Sequence, residues 1–161
     1  MQNGHTDRTT QHNLRIVLFQ PDIPGNTGTI LRMATCLGLT VDIIEPAGFR
    51  LDDHSLRRAG MDYLQRASLK KHADWQAFEN WRTGEGRRLV VLTTKTDRSY
   101  TSFSFQGNDC LLFGRESSGA PDFVHDSADE QLTIPMTEQG RSMNIAVCVA
   151  MTTGEAIRQT S

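Results

Sequence analysis

The stretch LRIVLFQPDIPGNTGTILRMATCLG, residues 14–38, sets the class of fold. It opens on a nearly unbroken apolar run, LRIVLF, of the kind that forms a strand buried on both faces of a parallel sheet. Two prolines and two glycines then crowd the seam at residues 21–28. A helical pattern follows over residues 27–37, with Asn26 as candidate N-cap, Ile30, Ala34 and Leu37 at helical spacing, and Gly38 as the terminating residue.

Working outward, four more short runs rich in Val, Ile, Leu and Phe stand at residues 41–45, 88–93, 110–113 and 131–134. Helix-like stretches lie between them, at about residues 74–81 and, last, 142–159. Strands alternating with helices predict a single doubly wound α/β domain with a parallel sheet. The final helix carries Thr152-Thr153-Gly154 in its interior, a poor helix-forming triplet; the glycine alone costs about 1 kcal/mol relative to alanine. The polar residues 1–13 read as a disordered leader and residues 14–161 as the domain.

Composition narrows the function classes. The 161 residues are 37% hydrophobic and 22% charged, with a formal net charge of −2. No apolar run approaches the roughly 18 residues of a membrane span, and the first dozen residues lack the apolar core of a secretory signal. Cys36, Cys110 and Cys148 are far apart and odd in number, which predicts reduced, buried thiols in a cytosolic protein. No Cys/His cluster has metal-ligand spacing, so no metal is expected. Charge is uneven, however. Between residues 50 and 72 six basic residues face three acidic ones, a pattern that fits either a nucleic-acid footprint or a solvated helix face.

Ligands of open α/β sheets bind where loops leave the carboxyl ends of strands. The unusual loops here all follow strands: residues 24–32, 92–95, 114–121, and 135–144 before the last helix. They contain neither G-x-G-x-x-G nor a P-loop, and no G-x-S-x-G elbow. Each piece has a plain reading too: Asn26 as a cap alone, Gly28 as helix–strand packing, Glu116 as a buried carboxylate or a helix-start residue.

In combination the pieces are more specific. N-x-G-x-x-x-R at residues 26–32, L-x-F-G-x-E-x-x-G at 111–119, and I-P-M at 134–136 followed by S-M-N at 142–144 occur in that order. The set resembles the three motifs of the SPOUT superfamily of RNA methyltransferases, and within it the small TrmL (YibK-like) group that methylates the wobble-nucleotide ribose of tRNA. Residues 44–49 (IEPAGF), 56–63 (LRRAGMDY) and 92–95 (LTTK) agree with that resemblance, which covers nearly the whole chain.

The resemblance implies an α/β domain closed by a C-terminal trefoil knot, a homodimer, S-adenosylmethionine as cofactor and the tRNA anticodon loop as partner. By position it places Leu92, Thr93, Gly114, Ile134, Ser142 and Met143 at the cofactor. Arg32, Glu116 and Asn144 fall to catalysis, and Arg57, Arg58, Lys70 and Lys71 to RNA contact. Arginine stays protonated above pH 12, so Arg32 is better suited to hold a phosphate and a developing alkoxide than to act as a base. Relatives usually carry a tyrosine before the glutamate of the last helix, where this chain has Gly154-Glu155. That departure keeps open a non-catalytic RNA-binding dimer on the same fold. The β-α alternation alone would also admit a flavodoxin-like nucleotide binder.

Overall fold

The computed structural model describes residues 12–51 and 67–161. Six strands form one sheet: β1 (Arg15–Phe19), β2 (Thr40–Ile44), β3 (Ser68–His72), β4 (Leu89–Leu92), β5 (Cys110–Phe113) and β6 (Glu130–Leu132). Their order across the sheet is β3-β2-β1-β5-β4-β6, and every pairing is parallel. Helices α1 (Pro24–Leu37) and α4 (Ile145–Thr160) pack together on one face; α2 (Trp75–Gly84) and α3 (Asp122–Ser127) are the other α-helices among the described residues.

The apolar runs are continuous because both faces of the sheet are covered. Ile16 and Leu18 of β1 join Ile30, Leu31 and Ala34 of α1 in one core, while Val17 and Phe19 join Phe78 of α2 and Val124 of α3 in a second. β4 and β5 alternate in the same way. β2 breaks the pattern on one side with Asp42, which is fully buried. Arg15 grips it with two donors, Nε at 2.7 Å and Nη2 at 3.0 Å, and His72 Nε2 donates at 2.7 Å. Beside this cluster the Trp81 ring receives the Arg15 guanidinium at 4.8 Å and the Lys70 ammonium at 4.9 Å. The second tryptophan, Trp75, packs at the other end of β1 against Phe19 and Phe123.

All five expected strands recur within one or two residues of the predicted bounds, the last as Glu130–Leu132 rather than 131–134. β3 is new. Its sequence, SLKKH, is polar because it is an edge strand with Lys70 and Lys71 exposed, so hydropathy gives no signal there. Two further corrections concern helix starts. α1 begins at Pro24, not residue 27: a proline at N1 needs no hydrogen-bond partner for its nitrogen, and Ile23 is the N-cap. Asn26 is therefore inside the helix rather than its cap, and Arg32 sits on the third turn, about 12 Å along the axis from Pro24. α4 starts at Ile145 with Asn144 as its cap. Gly38 does end α1, at φ 69°, the left-handed conformation glycine adopts freely.

The three cysteines are free, but only Cys110 is buried; Cys148 is half-buried and Cys36 exposed, because Cys36 falls on the solvent side of α1. Burial pushes the Cys110 thiol up to about 12, which leaves it inert. Residues 1–11 of the expected leader lie outside the described residues. His12 and Asn13 are bonded to the body: His12 N donates to Gly38 O at 3.2 Å, and Arg87 donates to Asn13 O at 2.7 Å. No helix among the described residues is long and apolar enough to cross a membrane.

Candidate active site

Parallel pairing brings the ends of β1, β5, β4 and β6 to one edge of the sheet, and the glycine-bearing loops leave from it. The loop after β5 is a tight ring: Arg115 N donates to Gly119 O at 3.1 Å and Gly119 N to Arg115 O at 2.8 Å. Gly119 is at φ 68°, and a Cβ at Gly114 would overlap Ala120 N and Gly119 C. Both glycines are thus required to close the ring.

Two contacts join the three motifs. Asp22 N, in the turn between β1 and α1, donates to Glu116 Oε2 at 3.1 Å. Asn144 caps α4 by accepting from Ala146 N at 2.8 Å, and its Nδ2 donates to Asn26 Oδ1 at 3.0 Å. Asn26 accordingly links two helix N-termini. Glu116 and Asp22 make a carboxyl pair. Burial, and after it the hydrogen bond with Asp22, raise the Glu116 carboxyl above its ordinary value, while Asp22 is held below its own chiefly by the hydrogen bond from Glu116.

The predicted cofactor residues gather at the same edge. Leu92 ends β4, Thr93 follows it and donates its N–H to Leu132 O at 2.8 Å, Gly114 follows β5, and Ile134 lies two residues beyond β6. Ser142 and Met143 precede the Asn144 cap. All are half-buried except exposed Ser142. The set suits an adenosine-bearing cofactor: apolar side chains for the faces of a planar base, backbone groups for its edges, and two hydroxyls, exposed Ser142 and half-buried Thr93. The Thr93 hydroxyl is held in place. Pro121 O can only accept, so it takes the His125 Nδ1 hydrogen at 3.1 Å, which turns Nε2 toward Thr93 Oγ1, 2.9 Å away. Among the described residues no group of three or more His, Cys, Asp or Glu could hold a metal.

The basic residues divide. Lys70 lies on the Trp81 face of β3, whereas Lys71 lies near a cavity at the carboxyl ends of β2 and β3. This cavity, about 570 Å³, is lined by Glu45, Phe49, Arg50 and Lys71 among others. Arg57 and Arg58 lie outside the described residues. Arg32 is exposed on α1, its Cβ tilted back toward the helix N-terminus and the strand edge.

This chain matches the SpoU rRNA Methylase family over residues 13–154. The chain belongs to that family. It is 52% identical over 144 residues to a tRNA (cytidine(34)-2'-O)-methyltransferase of Beijerinckia indica, covering 89% of this chain and 90% of that one. An enzyme of the same name from Escherichia coli K12 is 41% identical over 148 residues, 91% and 93% of the two chains. A solved structure described as giving structural insights into the 2-OH methylation of C/U34 on tRNA superposes with a TM-score of 0.87 at 38% identity, over 92% of this chain and 96% of that one. A SpoU methyltransferase from Streptomyces viridochromogenes, in complex with AdoMet, shares the fold at a TM-score of 0.84 and 23% identity, over 99% and 66%.

Within this SpoU methylase, the sequence reading missed Asp22 and His125. Asp22 carries no signal of its own beside Pro21, and His125 falls in a segment with no motif. Only the register of β1 against β5 and of β4 against β6 brings them to the site.

Proposed function

We propose that this chain transfers a methyl group from S-adenosylmethionine to the ribose 2′-hydroxyl of the wobble nucleotide, cytidine or uridine, of tRNA. One observation carries the reading: the three ordered motifs converge on a single sheet edge through Asp22–Glu116 and Asn26–Asn144. Relatives named for that reaction match over nine-tenths of the chain.

Leu92, Thr93, Gly114, Ile134, Ser142 and Met143 would hold the cofactor, largely through backbone groups. When bound, it supplies a methyl group already activated on a sulfonium, so the protein's task is alignment and charge stabilisation. Arg32 clamps the phosphate next to the acceptor and steadies negative charge growing on the 2′-oxygen. Glu116 fixes the loop after β5 against the turn after β1, and Asn144 holds the start of α4 to α1. The target itself selects RNA, since DNA has no 2′-hydroxyl.

Arg57, Arg58, Lys70 and Lys71 serve RNA contact. Phe49, Arg50 and Lys71 around the cavity after β2 offer an aromatic face and two cations, a fitting surface for an unpaired nucleotide. Half-exposed Leu37 on α1, with Val147 and Met151 on α4, favour a homodimer that buries these helices. The segment after β6 supports a knotted C-terminus. β6 lies beyond β4 at the sheet's margin, yet the chain returns past the ends of β4 and β5 to pack α4 on α1. We place the protein in the cytoplasm with its tRNA.

Labelled S-adenosylmethionine and undermodified tRNA should give label on the wobble ribose. Cofactor binding with no transfer to any tRNA sinks the reading. Arg32→Ala should retain tRNA binding and lose turnover, whereas a non-catalytic RNA-binding dimer would have no turnover to lose.

A further inference from the structure

Asp22 is bonded to three consecutive residues of the loop after β5. Its backbone N–H donates to Glu116, its Oδ2 accepts from the Ser117 hydroxyl, and Arg115 Nη2 stands 3.6 Å from the same oxygen. A third loop braces it from behind. Gly48 N donates to Pro21 O at 2.8 Å, and a Cβ on Gly48 would come within 2.9 Å of Asp22 Cβ. The other carboxylate oxygen, Oδ1, is buried and takes no hydrogen bond from a nitrogen or hydroxyl of the described residues.

We propose that Asp22 is a positioning residue for methyl transfer: it pins residues 115–117 to the turn from which α1 departs, and so sets the distance between the cofactor loop and the helix that carries Arg32. The inference rests on the methyltransferase reading above. It assigns Asp22 no contact with either substrate. Its effect passes through the loop after β5 on one side and α1 on the other, so its loss misaligns the donor and acceptor sites without removing a group from either. Glu116, Arg115 and Ser117 are the titratable or polar groups bonded to or facing the Asp22 side chain.

The experiment compares the wild-type chain with Asp22→Ala and Asp22→Asn, reading cofactor affinity by calorimetry and steady-state methyl transfer to undermodified tRNA. Asp22→Ala should lower kcat about 10- to 100-fold and weaken cofactor binding, with KM for tRNA within about twofold of wild type. Asp22→Asn keeps an oxygen for the Ser117 hydroxyl and should recover most of kcat. Loss of folded protein alone would lower every signal together and give no such split, and thermal unfolding of each variant checks it. If Asp22→Ala does not fold, Ser117→Ala removes the same hydrogen bond from its exposed end and should lower kcat in the same direction by about threefold. Wild-type kcat and affinity in Asp22→Ala, or an asparagine variant no better than alanine, overturns the proposal. If the wild-type chain binds cofactor but methylates no tRNA, the parent reading falls instead. Cofactor affinity then decides: weakened in Asp22→Ala, the clamp stands; unchanged, it is overturned.

Discussion

Two aspartates, twenty residues apart, one fully buried and one half-buried, are treated in opposite ways. Asp42 lies in the middle of the sheet with each oxygen matched, one to Arg15 and the other to Arg15 and His72. Asp22 lies at the sheet edge beside a second carboxyl, with one oxygen lacking a fixed donor. Compensation that complete marks a group whose work is cohesion. The incomplete kind, on a residue that ties together the loops of one sheet edge, fits the positioning role proposed for Asp22.

The sharpest way to break this contrast is Asp42→Ala. It strands the Arg15 charge and leaves His72 without its acceptor, and should cost about 3–5 kcal/mol by denaturant unfolding. Cofactor affinity of the fraction that remains folded should be unchanged. A loss under about 1 kcal/mol would mean the cluster is not cohesive. Gly114→Ala tests the other pole. The added methyl overlaps the ring at Gly119 and Ala120, so a loss of about 1–3 kcal/mol should come with a marked fall in cofactor affinity.

The carboxyl pair makes a finer prediction, readable in pH. Folding raises the Glu116 pKa above 4.5, so this group takes stability away as pH rises from there through its folded value. Asp22, lowered from 3.8, acts the other way: its contribution is present above that value and lost as pH falls through the folded pKa. Glu116→Gln abolishes the first effect. The difference in Tm between Glu116→Gln and wild type should therefore shift in the variant's favour between pH 4.5 and pH 8. A difference flat in pH counts against the pair. The smallest expected effect belongs to neither aspartate. Gly154 is exposed in mid-helix with nothing within 4 Å of a Cβ, so Gly154→Ala should add about 0.5–1 kcal/mol and leave turnover alone.

What could be read in advance followed from burial. Runs such as those in β1 and β5 are apolar throughout because both their faces are covered, and such runs announce themselves. β3 does not, since an edge strand carrying two exposed lysines looks like any basic segment. The start of α1 was misplaced because Asn26 resembled a cap, although Pro24 was the better signal. The motifs around Glu116 and Asn144 were visible as patterns, and their partners were not. Asp22 meets Glu116 across 94 residues and Asn26 meets Asn144 across 118, distances that only strand register and helix packing can bridge.

The chain has two tryptophans, and the fold sets one near each end of β1. Trp81 lies under the guanidinium that holds Asp42, while Trp75 packs on Phe19 and Phe123 close to the strand edge. Emission from a Trp75→Phe chain would thus report on the buried cluster, and emission from a Trp81→Phe chain on the edge where the loops meet. The molecule carries its own pair of optical reporters, able to tell loosening of the sheet interior from movement at the ligand side without an added label.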